Sequence, residues 1–195
     1  MRYTALISAS WRTQNALIWS KIDPGQEFKS KMKVHLIGVG GIGISALARY
    51  FLSQGWEVSG SDNTPSPLLQ ELKAEGVKIK IGHQKKNLNS KTDLVIYTRA
   101  TPANNLELKE AKRLKIKSLS YPKALGELTK KFTTIALAGT HGKSTTTALT
   151  AFTFLQAKMD PTVIVGTKVP QLDGKNFHFG KGNYLVIEAD EYKDA

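Results

Sequence analysis

The sequence contains no cysteine. A disulfide framework, a thiolate metal site and a cysteine nucleophile are thereby excluded. No run of about 18 apolar residues occurs, so no membrane-spanning helix is expected. Acidic residues are scarce: 16 Asp and Glu stand against 28 Lys and Arg, a net charge of +12 over 195 residues. The surplus favours anionic partners such as nucleotides. Aromatic residues make up only 8%. Among the lysines from Lys109 to Lys131, Tyr121 is the lone aromatic before Phe132. A nucleic-acid surface wants basic and aromatic residues interleaved, so no nucleic-acid partner is expected. With Leu and Ile at helical spacing, those lysines read as a solvated helix face. What is plentiful is apolar residue, 41%, enough for a packed core.

Residues 1–31 carry Trp11 and Trp19 without a clear period. Their apolar pieces fall short of the roughly 7–15 residues of an export signal. They are expected to be an extension, either disordered or not native. From Lys33 onward strand and helix alternate. Val34 to Ile37 reads as a buried strand, Ile44 to Leu52 as a helix, and Trp56 to Gly60 as a second strand ending at Ser61-Asp62. Ser66-Pro67 opens a helix that Gly76 closes. Val77 to Ile81 and Asp93 to Tyr97 read as strands, and Asn104 to Leu114 as a helix. The alternation predicts an α/β fold with right-handed crossovers and a parallel sheet, over a domain spanning 32–130. A second unit, 131–195, runs from the strand Thr133 to Ala138 through a helix from Lys143 to Gln156 to strands at Thr162 to Val165 and Tyr184 to Ile187. An α/β nucleotide-binding domain usually needs ~100–150 residues, so this domain is expected to be partial.

Gly38-Val39-Gly40-Gly41-Ile42-Gly43 fits G-x-G-x-x-G between a strand and a helix. The glycines permit a tight turn, a close backbone approach to a pyrophosphate, and close helix–strand packing. The helix N-terminus adds N–H groups and partial positive charge. Asp62 ends the second strand, where an acid can accept hydrogen bonds from a ribose. The motif does not separate NAD from a UDP-sugar, since both present a pyrophosphate and a ribose.

Gly139-Thr140-His141-Gly142-Lys143-Ser144 reads as a short phosphate loop. Its N–H groups can cradle ATP phosphates, Lys143 can reach the β/γ oxygens, and the Ser144 hydroxyl can hold Mg²⁺. Thr145, Thr146 and Thr147 follow; one could touch a phosphate, the others being the helix's first turn. Glu188, at the carboxyl end of a strand in the same unit, is the candidate Mg²⁺ carboxylate. Asp190 and Glu191 are either an outer shell or solvated turn residues. His141 could meet a phosphate or pack the loop. His35 and His178 read as structural, and His83 as a loop residue.

These segments in order, with Gly82-His83 and Asn87-Leu88, resemble the Mur ligases, over residues 33–195. The pattern is most similar to the branch that joins L-alanine to UDP-N-acetylmuramate. The resemblance implies a Rossmann-like first domain followed by the start of a P-loop-type ATP-binding domain. Gly40, Gly41, Ile42 and Gly43 would face the diphosphate of the UDP-sugar, and Asp62 its nucleoside end. Gly139, Thr140, His141, Gly142, Lys143, Ser144 and Thr145 would bind ATP, with Ser144 and Glu188 on Mg²⁺. Lys143, Ser144, Glu188 and His141 would be the catalytic set. A third domain, which in the family completes the ATP site and helps place the amino acid, has no counterpart in this sequence.

The implied chemistry is activation of a carboxylate as an acyl phosphate, then attack by an amine. It is that of a cytoplasmic ligase of peptidoglycan synthesis, and the chain by itself is expected to be inactive. Glu191-Tyr192 is also similar to the related ligase that attaches a murein tripeptide to the same UDP-sugar. A non-catalytic UDP-sugar or nucleotide-binding module remains an alternative. An NAD-dependent oxidoreductase would leave the phosphate loop and Glu188 without a role.

Overall fold

The computed structural model describes residues 32–189. The expected extension 1–31 and the pair Asp190 and Glu191 lie outside the described residues. A five-stranded sheet comes first, with β1 (Lys33–Ile37), β2 (Glu57–Asp62), β3 (Lys78–Ile81), β4 (Leu94–Tyr97) and β5 (Lys117–Ser120). Its order is β3-β2-β1-β4-β5, and every pairing is parallel. β1 and β4 are neighbours although the chain returns to β4 only after building β2 and β3. The connections therefore diverge there, which opens a crevice beyond the carboxyl ends of β1 and β4.

Helix α1 (Ile42–Ser53) follows β1 directly, and Ile44 through Phe51 are all buried. One face packs on the first sheet and another on strands of the second. That double contact explains burial all around a helix that in a two-layer domain would keep a polar face. Helix α2 (Pro67–Ala74) is capped as the sequence predicts: Ser66 Oγ accepts from Leu69 N–H at 3.3 Å, with Pro67 in the first turn. At its other end Gly76 and Val77 donate to Lys73 and Leu72 carbonyls, with Gly76 at φ +109°. Helix α3 (Leu106–Arg113) is capped by Asn105, whose Oδ1 accepts from Glu107 and Leu108 N–H groups.

The continuous helical face expected for 109–131 is corrected by the structure. α3 stops at Arg113, β5 intervenes, and α4 (Tyr121–Thr129) begins. The break is a glycine-type C-cap without glycine. Lys115 takes φ +55°, its N–H donates to Lys112, and Ile116 donates back to Ala111.

The second sheet holds β6 (Thr133–Leu137), β7 (Thr162–Val169), β8 (Lys175–His178) and β9 (Tyr184–Glu188), in the order β6-β9-β7-β8. β6, β9 and β7 run parallel, whereas β8 is antiparallel to β7 and joins it through a hairpin. Helix α5 (Lys143–Gln156) covers this sheet, with Ala151, Val163, Val165 and Val186 in its core. Arg49 of α1 ties the two sheets: it pairs with Glu75 at 2.7 Å and donates to Asn176 of β8, whose amide donates back to the Ile42 carbonyl. Lys168 adds a 2.6 Å ion pair to Glu71.

Candidate functional site

The turn after β1 is held by its own amides. Gly38 and Val39 N–H both donate to the Ser61 carbonyl, at 2.8 and 3.1 Å, and Gly41 N–H donates to Gly38. Gly40 N–H donates to Asp62 Oδ2 at 2.9 Å. The structure thus brings Gly40 and Asp62 together, with the Gly40 amide given to the carboxylate rather than pointing at a diphosphate. The first intrahelical bond of α1 is Ser45 to Gly41. Helix geometry therefore leaves the N–H groups of Ile42, Gly43 and Ile44 to an outside acceptor.

Gly41, Ile42, Gly43 and Ile44 line a cleft of about 330 Å³ in the crevice between β1 and β4. Thr98 and Arg99 line it from the end of β4 and Tyr121 from the start of α4. Its far wall belongs to the second sheet: Ile164, Val165, Gly166 and Glu188. A larger residue than Gly43 would force Tyr121 to move, because a Cβ would stand 2.7 Å from the Tyr121 hydroxyl and 2.8 Å from its Cζ.

Behind Glu188 lies the phosphate loop. Gly142 takes φ +74° as the residue before α5, a left-handed conformation that suits glycine. Lys143 Nζ donates to the Gly139 carbonyl at 2.8 Å, so the lysine spans the mouth of the loop. Ser144 Oγ donates to Glu188 at 3.0 and 3.1 Å to its two oxygens, and Gly166 N–H donates to Oε2 at 2.8 Å. A hydroxyl and a carboxylate side by side are hard oxygen donors of the kind Mg²⁺ takes. Thr140, His141 and Thr145 are exposed along the loop and first turn. Thr147 is buried and donates to the Lys143 carbonyl, a structural role. Of the residues singled out in the sequence, Gly41, Ile42, Gly43 and Glu188 thus share one cleft, Ser144 joins them through Glu188, and Gly40 with Asp62 sits beside it.

Sequence reasoning missed Thr98, Arg99 and Tyr121. No local signal marks Arg99: it lies two residues past β4, and only the sheet order sets the carboxyl end of that strand beside the glycine turn. It also missed a buried network on the other face of the first sheet. Glu107 is fully buried and accepts from Ser61 Oγ at 2.6 Å and Asn87 Nδ2 at 2.6 Å, while His83 Nδ1 lies 3.0 Å away. His35 Nε2 approaches it to 3.5 Å and its Nδ1 meets Ser59. Burial works against ionisation of Glu107, but hydrogen bonding from His35, Ser61 and Asn87 outweighs it and holds the carboxyl below its ordinary value. His35 is structural, as read, and His178 pairs with Asp160 at 3.2 Å.

The family model described as Mur ligase family, catalytic domain, matches residues 33–133. The UDP-N-acetylmuramate–L-alanine ligase of Clostridium perfringens is 44% identical over 165 residues, 84% of this chain. The chain belongs to the Mur ligase family. Among solved Mur ligases, the UDP-N-acetylmuramate–alanine ligase of Thermotoga maritima superposes with a TM-score of 0.77 at 33% identity, covering 82% of this chain and 37% of that one. The UDP-N-acetylmuramate:L-alanyl-gamma-D-glutamyl-meso-diaminopimelate ligase of Neisseria meningitides gives 0.76 at 27% identity, covering 84% and 54%. The chain spans 35% of the length of the curated Clostridium relative.

Proposed function

We propose that the chain carries the UDP-N-acetylmuramate site and the Mg·ATP site of a cytoplasmic ligase of peptidoglycan precursor synthesis. The reaction is ATP-dependent joining of L-alanine to the carboxylate of UDP-N-acetylmuramate. One observation carries the reading: a single cleft is walled on one side by the N-terminus of α1 and on the other by Glu188, the partner of the phosphate-loop hydroxyl. A sugar nucleotide lying along it would bring its carboxylate toward the triphosphate.

The roles follow from chemistry. The N–H groups of Ile42, Gly43 and Ile44 would hold the diphosphate, and Asp62 would accept from the ribose beside them. The N–H groups of residues 139–145 would fix the ATP phosphates. Lys143 would leave the Gly139 carbonyl for the β/γ oxygens, where its charge offsets that of phosphoryl transfer. Ser144 and Glu188 would hold Mg²⁺, which screens phosphate charge when bound. His141, exposed on the loop, would meet the incoming carboxylate or the γ-phosphate. The carboxylate attacks the γ-phosphorus and ADP departs; the amine then attacks the acyl phosphate and inorganic phosphate departs. No step needs a nucleophile from the protein.

Calorimetry on the chain tests the reading. UDP-N-acetylmuramate is expected to bind, ATP to bind in a Mg²⁺-dependent manner, and NADH not to bind. Binding of NADH without either of the others would overturn it. Phosphate release with L-alanine, compared with the murein tripeptide, assigns the amine; the higher identity to L-alanine ligases favours L-alanine. The 195 residues alone are expected to bind with little turnover.

A further inference from the structure

The cleft that would take a diphosphate has few charges. Of the described residues lining it, Arg99 and Glu188 are the charged ones. Glu188 is spoken for by Ser144 and Gly166 and carries the wrong sign for an anion. The end of α1 supplies roughly half an elementary charge. A diphosphate carries about two negative charges, and entering beside a carboxylate it meets a wall that is not positive enough without Arg99.

Arg99 stands where the connections diverge, directly after Thr98 at the carboxyl end of β4. β4 pairs in parallel with β1, whose end leads into the glycine turn, so Thr98 N–H donates to the Ile37 carbonyl. The backbone that bears Arg99 is thereby locked to the backbone that bears Gly41 to Ile44. Its side chain is exposed and lines the cleft rather than the core. A guanidinium offers five N–H donors in a planar fork, matched to the paired oxygens of a diphosphate and sufficient to serve a second acceptor at once.

We propose that Arg99 is a ligand-binding residue of this cleft that grips the diphosphate of the sugar nucleotide, opposite the amides at the start of α1. This deepens the function proposed above and rests on it. The guanidinium would donate to non-bridging oxygens of both phosphates, so its contribution belongs to the diphosphate and is largely lost with a monophosphate.

The test is calorimetry of UDP and UMP against the chain and its R99A and R99K variants, with thermal midpoints as a folding control. For R99A the UDP dissociation constant is expected to rise on the order of tenfold, as for loss of a charge-assisted hydrogen-bonded pair, with the UMP constant rising about threefold or less. R99K is expected to fall between, retaining charge without the fork. The midpoints should stay together, since the side chain is exposed. An unchanged UDP constant in R99A overturns the proposal while leaving the UDP-sugar site standing. Equal losses for UDP and UMP also overturn it, because a general surface charge would act on both. If the unmutated chain binds no UDP, the functional reading falls and takes this one with it.

Discussion

Ser144 and Glu188, on the first turn of α5 and the last residue of β9, meet at 3.0 Å across the parallel pair that joins β9 to β6. The contact places a hydroxyl and a carboxylate where one divalent cation can use both. E188A is expected to weaken ATP binding in Mg²⁺ by on the order of tenfold, about 1.4 kcal/mol. In EDTA the variant and the parent should bind ATP alike. Equal weakening with and without the metal would show that Glu188 only shapes the loop.

The Gly43–Tyr121 approach makes a second prediction. A methyl group at residue 43 would overlap the phenol ring, so G43A should cost about 1–3 kcal/mol of stability and loosen UDP binding. In a Y121A background the same change should cost nearly nothing. Urea midpoints of the four proteins in the cycle measure this coupling directly. Additive costs would mean that the ring is not what excludes a side chain there.

Glu107 predicts a pH dependence. Its carboxyl titrates lower in the folded protein than in the unfolded chain. Its contribution is therefore fully present above the unfolded value of about 4.3 and is lost as pH falls through the folded value. E107Q, which leaves donors from Ser61, Asn87 and His83 without a carboxylate, should lose about 2–3 kcal/mol at neutral pH. Its stability should also fall less steeply than the parent's below pH ~4. Parallel acid limbs in urea titrations would contradict this.

Lys115 holds the left-handed position that ends α3. A lysine there sits in backbone strain of about 1–2 kcal/mol, partly offset in a glycine by greater unfolded-chain freedom. K115G is expected to raise stability by about 0.5–1 kcal/mol, read as a higher urea midpoint with unchanged slope. A lower midpoint would refute the strain argument.

That same lysine shows why part of the fold was hidden in the sequence. At α2 the stop was legible because Ser66, Pro67 and Gly76 are the residue types that capping chemistry favours. At α3 the identical hydrogen-bonding pattern is built on Lys115, and the lysines on either side of the stop fit a helical period. β8 was missed for a related reason. Lys175 to His178 holds one apolar residue, Phe177, in four and shows no alternation to register as a strand, and its pairing comes from the hairpin with β7. The glycine turn and the loop before α5 were legible as strand–turn–helix junctions because backbone geometry restricts residue type there, and the structure sets Ser144 of that loop against Glu188. Tyr121 and Arg99 reach the cleft only through strand order, which no local pattern records.

The bracket made by Arg49, Asn176 and Glu75 has a mechanical meaning. It bolts α1 to β8 by the same helix whose first turn faces the cleft, so the spacing from that turn to Glu188 acts as a fixed ruler. A sugar nucleotide held as proposed would have to span it, and a nucleotide without its sugar would fill only one end. Opening the bracket, as in N176A, should blur this length discrimination before it unfolds either sheet.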